Sequence, residues 1–127
     1  MLTPLGAFKL IISERDRINR SEFSLYFIYS MFINIILFVL FLLMTINNIH
    51  LYFNTLIYAI LIIFYIINAI LQITAVIKRG HDLGISGFII APLCILASII
   101  VIIPLMLVPG TKKANSYGPS LLDSAEL

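Results

Sequence analysis

The chain has no tryptophan, a single cysteine and little charge: eight basic and six acidic side chains, 11% of its 127 residues. Each shortage excludes something. A water-soluble domain of this length covers its surface with polar groups and typically carries about a quarter charged residues. A soluble fold is therefore excluded as the first reading. The lone Cys94 cannot form an intrachain disulfide and stands inside an apolar run, so it leaves the redox compartment open. A net charge of +2 is too small to point to nucleic acid, and no nucleic-acid partner is expected. The basic residues sit beside apolar runs, where membrane topology or attraction to anionic lipid headgroups accounts for them.

What the chain does have is apolar length. Apolar residues make up 61% of it, the mean hydropathy is +1.11, and no charged residue falls between Glu22 and Lys78 or between Asp82 and Lys112. A helix needs about 20 apolar residues to cross the hydrocarbon, where no backbone polar group can go unpaired. Three runs meet this length, at about 23–46, 51–77 and 88–108, with a polar tail over 109–127. The first follows a charged segment and ends at Asn47 and Asn48 rather than at a small-residue cleavage pattern, so it is expected to be retained as a span. Leu5, Phe8, Ile11 and Ile12 recur at helical spacing over residues 5–13, the pattern of a helix lying along the interface. The expected fold is an all-α membrane protein, a single membrane domain over residues 1–127. It is a small bundle of about three transmembrane helices preceded by a short amphipathic N-terminal segment.

Local signals refine the ends. Asn19 followed by Glu22 has the spacing of a capping box and starts the first helix near Arg20. Gly80, Gly84 and Gly87, with the charges of Lys78, Arg79 and Asp82, mark residues 78–87 as a loop. Pro109 and Gly110 stop the last run. Short flanks rich in Lys and Arg stay in the cytoplasm. Lys9, Arg15, Arg17, Arg20, Lys78 and Arg79 fall on one side of a three-span arrangement, and Lys112 and Lys113 on the other, so the N-terminus is expected inside. The competing arrangement breaks the third run at Pro92 or Pro104 into a re-entrant hairpin and puts all eight basic residues on one side. The three-span arrangement is the favoured one, since 21 residues is short for a hairpin that protein must shield.

Polar residues inside these runs need partners. Asn34 falls roughly 16 Å into the first run at 1.5 Å per residue. On the second, Tyr58, Tyr65, Asn68 and Gln72 share one face, and Asn34 is expected to meet that stripe. Helix association through amide hydrogen bonds explains such a set better than a polar pathway, because no full charge lies at depth. Gly87, Ala91, Cys94 and Ser98 form a small-residue stripe, a packing seam. Around the runs, Arg17, Arg20, Glu22, Arg79, His81 and Asp82 meet at one membrane face as an interaction surface. Asp82 is expected to pair with Arg17 or Arg20 there. His81 and Asp82 lack a third group to orient them as a catalytic pair and fall short of a metal site, so no catalytic residue, metal or cofactor is expected.

Arg17-Ile18-Asn19-Arg20-Ser21-Glu22-Phe23 precedes one run, and Lys78-Arg79-Gly80-His81-Asp82-Leu83-Gly84-Ile85-Ser86-Gly87-Phe88 follows the next. Pro109-Gly110-Thr111, Asn115 and Tyr117-Gly118-Pro119 close the chain. In these motifs and their order the sequence resembles the bacterial inner-membrane family called domain of unknown function 805, from about Phe8 to Pro119. Ser24 and Phe88 stand where family members often carry tryptophan. The resemblance implies a multi-pass protein of the bacterial inner membrane with a three-span fold, and it implies no activity. The expected role is non-enzymatic packing or interaction, with the lipid bilayer, a second copy or a larger membrane protein as partner. The alternative is a lipid- or solute-handling oligomer that uses the arginine-rich rim and anionic headgroups, and a membrane enzyme around His81 and Asp82 comes last.

Overall fold

A computed structural model of the chain describes residues 16–47 and 51–121, together with Gly6, Lys9, Ile11 and Ile12. Among the described residues the architecture is all-helical, with one isolated bridge between Asn115 and Gly118 in the tail. Four helices follow one another from Arg20 on among the described residues: α1 (Arg20–Asn47), α2 (Leu51–Asp82), α3 (Gly87–Leu96) and α4 (Ser98–Leu107). α1 and α2 are each long and apolar enough to cross a membrane by length and composition. The expected interfacial helix over 5–13 falls largely outside the described residues, as do Arg15, Asn48 and His50. Within it, Gly6, Lys9, Ile11 and Ile12 are helical, and Ile11 is buried.

The ends of the long helices follow from local chemistry. Asn19 Oδ1 accepts the Glu22 amide at 2.8 Å, and Glu22 accepts the Asn19 amide at 2.8 Å, the reciprocal capping box that the spacing predicts. α2 runs five residues further than the sequence suggests. Gly80 lies inside it, where a side chain would collide with Ile90 of α3, so this glycine permits close packing and does not break the helix. The stop comes at Gly84, whose φ of 78° is the left-handed conformation glycine takes most readily. The Ile85 amide bonds back to Gly80 O at 2.8 Å and the Gly84 amide to His81 O at 3.0 Å, which satisfies carbonyls the helix end would orphan.

The third apolar run departs from the favoured expectation. It does not continue as one helix over 88–108: Ala97, with φ −140° and ψ 50°, leaves helical geometry and separates α3 from α4. Both expected breakers, Pro92 and Pro104, instead sit inside these helices, each removing one amide donor. α3 leaves from the Asp82 end of α2 and packs on α2, while α4 returns along α1. The return is unambiguous, because Arg79 Nε donates to Leu105 O at 2.9 Å and the Thr111 amide to Asp82 O at 3.0 Å. Residues 87–107 are thus a helical hairpin with both feet at one end of the bundle. Each ten-residue leg reaches about 15 Å, half the length a full span needs. Lys112 and Lys113 consequently stand at the same end as Arg17 and Arg79, not at the opposite one.

The buried core gathers at this end. Ile11, Ile18, Phe23, Tyr26, Ala75, Val76, Ile90 and Leu105 form it, drawn from the N-terminal segment, both long helices and both hairpin legs. Gly87 faces Ile77 with no room for a side chain between them, so the small-residue stripe begins as a seam against α2. Toward the other end the hairpin no longer reaches. There α1 and α2 touch each other, as in the contact of Phe41 with Tyr58 at 5.5 Å, and leave Ile35, Phe38, Leu42, Ile62 and Ile66 exposed.

Candidate functional site: a buried arginine clasp

At the base of the bundle three charged side chains meet out of solvent. Arg17 and Asp82 are 2% exposed and Arg79 is fully buried. One Asp82 oxygen accepts from Arg17 Nε at 3.1 Å and Nη2 at 3.0 Å, and the other accepts from Arg79 Nη1. Asp82 therefore pairs with Arg17 as one of its two expected partners. Arg20, the other, is exposed, and the second cation is Arg79 from one turn earlier in α2.

The remaining donors of both guanidinium groups go mostly to backbone oxygens. Arg17 Nη1 donates to Gly118 O at 2.8 Å, and its Nη2 to Thr111 O at 3.2 Å and Thr111 Oγ1 at 2.9 Å. Arg79 reaches Leu105 O, Ile18 O and Val108 O. These partners come from the segment before α1, the foot of α4 and the tail. Every guanidinium nitrogen of the two arginines is bonded within the chain. A guanidinium presents five donors in a rigid fork, which suits it to this collection of irregular backbone.

The tail is shaped to fit. Gly110 lies so close that a Cβ there would overlap the Asp82 carboxylate, so the chain passes only without a side chain. Thr111 clamps Asp82 O through its amide and hydroxyl, both at 3.0 Å. Asn115 donates to His81 O at 2.9 Å and to Thr111 Oγ1 at 3.2 Å, while its own oxygen accepts the Tyr117 amide at 2.9 Å, a turn of the type Asn favours. Gly118, with φ 123°, closes that turn and offers its carbonyl to Arg17. Tyr117 lies flat against His81, with ring centroids 3.9 Å apart and planes 3° from parallel. Pro109 and Pro119 flank this segment on its exposed side.

His81 and Asp82 do not form a pair. The carboxylate is held by two arginines, whereas the imidazole stacks on Tyr117 and its Nδ1 is buried without a hydrogen-bond partner among the described residues. Beside that ring, Ile77, Ser86, Phe88, Pro92 and Tyr117 line a mostly apolar cleft of about 580 Å³. Among the described residues no three His, Cys, Asp or Glu side chains come together as a metal site.

A second polar cluster joins α1 to α2 midway along their length. Asn68 donates to Asn34 at 2.8 Å and accepts from the Ser30 hydroxyl at 3.0 Å, and Gln72 donates to Ser30 at 2.6 Å. Asn34, Asn68 and Gln72 thus meet as their spacing suggests. Tyr65 makes no hydrogen bond among the described residues and is 59% exposed, lining an open groove beside Asn34. Ser30 is not among the polar residues expected at depth, and Thr111 is expected only as part of the Pro109-Gly110-Thr111 motif. Ser30 could have been found one turn before Asn34 on the same face; Thr111 carried no signal beyond its place after Pro109-Gly110.

The family model described as protein of unknown function (DUF805) matches residues 11–119, which takes in the whole clasp. No curated protein and no solved structure matches the chain.

Proposed function

This chain belongs to the DUF805 family, and we propose that it is a non-enzymatic packing and interaction protein of the bacterial inner membrane. It crosses the bilayer twice, dips in with a re-entrant hairpin, and keeps both termini in the cytoplasm. One observation carries the role: Arg17, Arg79 and Asp82, the buried charges of its motifs, are spent on one another and on the chain's own backbone. A substrate or a phosphate would have to displace those bonds to use either arginine. The clasp acts as a fastener that holds N-terminal segment, hairpin and tail to α2.

The membrane reading is supported by two apolar helices with outward-facing Ile, Leu and Phe along most of their length. Orientation is supported by the gathering of Arg17, Arg20, Lys78, Arg79, Lys112 and Lys113 at one end, which the positive-inside rule assigns to the cytoplasm. Paired reporters fused after Leu127, one active only in the cytoplasm and one only outside, test the arrangement. The cytoplasmic reporter is expected to be active and the protein to resist carbonate extraction. Activity of the outside reporter alone would overturn the re-entrant hairpin.

Lipid handling is the second reading, favoured by the cleft beside His81 and Tyr117, which falls at headgroup level in this arrangement. It shifts the burden from the buried arginines to the exposed Arg20, Lys112 and Lys113. Unchanged co-purification of anionic lipid after all three become Gln would count against it.

A further inference from the structure

We propose that the groove between α1 and α2, beyond the reach of the hairpin, is the seat of a second copy of this chain. Asn34 and Tyr65 of each copy pair with those of the other. The groove is lined by Leu37, Phe41, Leu61 and Ile62 around these two polar side chains, and encloses about 200 Å³. It continues a face that the hairpin covers nearer the clasp. Along α2, Ile62, Tyr65, Ala69, Gln72 and Val76 recur at spacings of three and four, and the last three share a cavity wall with Ala91, Cys94 and Ile95 of α3.

The polar inventory selects the occupant. Asn34 accepts from Asn68, and its own amide hydrogens have no partner among the described residues. Neither does the Tyr65 hydroxyl. The inference rests on the membrane reading above, which places both groups roughly 16–18 Å deep, near the bilayer centre. An acyl chain offers them nothing. A second copy offers at the same depth a carboxamide donor and a hydroxyl that both donates and accepts, so a two-fold axis through the groove pairs each Asn34 with the partner copy's tyrosine. Such interhelical bonds are modest singly, but symmetry makes every one of them twice.

The test is oxidative cross-linking of the full chain in intact membranes, in a Cys94→Ser background. Ile62→Cys lies in the groove, and Ile63→Cys lies at the same depth on the opposite face of α2; both positions are exposed within one chain. Ile62→Cys is expected to give a dimer of twice the 14.3 kDa chain mass, and Ile63→Cys is not. Adding Tyr65→Phe, which removes only a hydroxyl that bonds to nothing among the described residues, is expected to lower dimer formation about eight-fold. Equal cross-linking at both positions would overturn the proposal. So would no cross-link from Ile62→Cys, the outcome if lipid or another protein fills the groove, or a yield that ignores Tyr65→Phe. Carbonate extraction of the same membranes separates the two readings. A protein that washes off defeats the membrane assignment, and one that stays without cross-linking defeats only the dimer.

Discussion

Replacing Asp82 with alanine removes the carboxylate that two buried cations share. In the native clasp the carboxylate accepts three guanidinium bonds, and neither arginine can reach water without withdrawing from the carbonyls it holds. Removing one partner of a buried ion pair costs about 3–5 kcal/mol, mostly because the remaining charge is left uncompensated. Here two charges remain. The pairing of α1 with α2 through Ser30, Asn34 and Asn68 does not depend on Asp82, so the cost falls on docking of the tail and the hairpin foot. Ser120, 5% exposed at the end of the tail, reports that docking, with the exposed Ser116 as control. In a Cys94→Ser background, maleimide labelling of Ser120→Cys is expected to accelerate roughly 150- to 4,000-fold when Asp82→Ala is added, as 1.4 kcal/mol is a factor of ten. Labelling of Ser116→Cys is expected to stay the same. Arg17→Met, by contrast, leaves Asp82 and Arg79 as a neutral pair; it takes the donors from one Asp82 oxygen and from the acceptors of Thr111 and Gly118, at about 1–3 kcal/mol each, but leaves no charge uncompensated. Asp82→Ala is the decisive variant. If Arg17→Met undocks the tail while Asp82→Ala leaves it protected, charge compensation is not what holds the clasp.

Three further outcomes follow from the same geometry. Gly110→Ala forces a Cβ into the Asp82 carboxylate and is expected to undock the tail by about 1–3 kcal/mol, read by the same labelling of Ser120→Cys; native protection would show that the tail does not pass there. Arg79→Lys keeps the charge but loses the fork. With Leu105, Ile18 and Val108 carbonyls to serve, it is expected to cost at least about 2 kcal/mol in the same assay, and a neutral result would refute the donor argument. Asn19→Ala removes one half of the capping box and is expected to cost the first turn of α1 about 0.5–2 kcal/mol, seen as faster amide hydrogen exchange over residues 20–24, with α2 unaffected.

How much of this was readable in the sequence depends on whether the signal was local. The capping box at Asn19 and Glu22 needs only three-residue spacing, and it formed as expected. The meeting of Asn34 with Asn68 needed two helices to run antiparallel at matched depth, which a short turn between two apolar runs all but dictates. Gly80 misled because one residue type serves two purposes: a glycine can end a helix or admit a neighbour, and only the position of Ile90 tells which. The third run misled for a deeper reason. Its 21 residues have the composition of a span whether they run straight or fold in half. The sequence shows the prolines, yet the break falls between them, at Ala97. The information that bends it lies elsewhere, in arginines that capture Leu105 and Val108 on their return.

That dependence explains why charged residues are buried at all in so apolar a chain. A hairpin that enters and leaves at one end brings there the last carbonyls of α4, the approach to α1 and the turn of the tail. None of these can pair within a helix. Water can satisfy such groups at an open surface but not where Phe23, Ile90 and Leu105 close over them. Between them Arg17 and Arg79 serve the carbonyls of Ile18, Leu105, Val108, Thr111 and Gly118, which two rigid forks can do and two ammonium groups cannot. Asp82 offsets one of the two charges and orients both forks. In the proposed orientation the charge left over lies at the cytoplasmic face, among anionic headgroups, and resists being drawn across the bilayer. In that orientation backbone satisfaction and topology are met by the same side chains, and the clasp that fixes the hairpin also sets which way the protein faces.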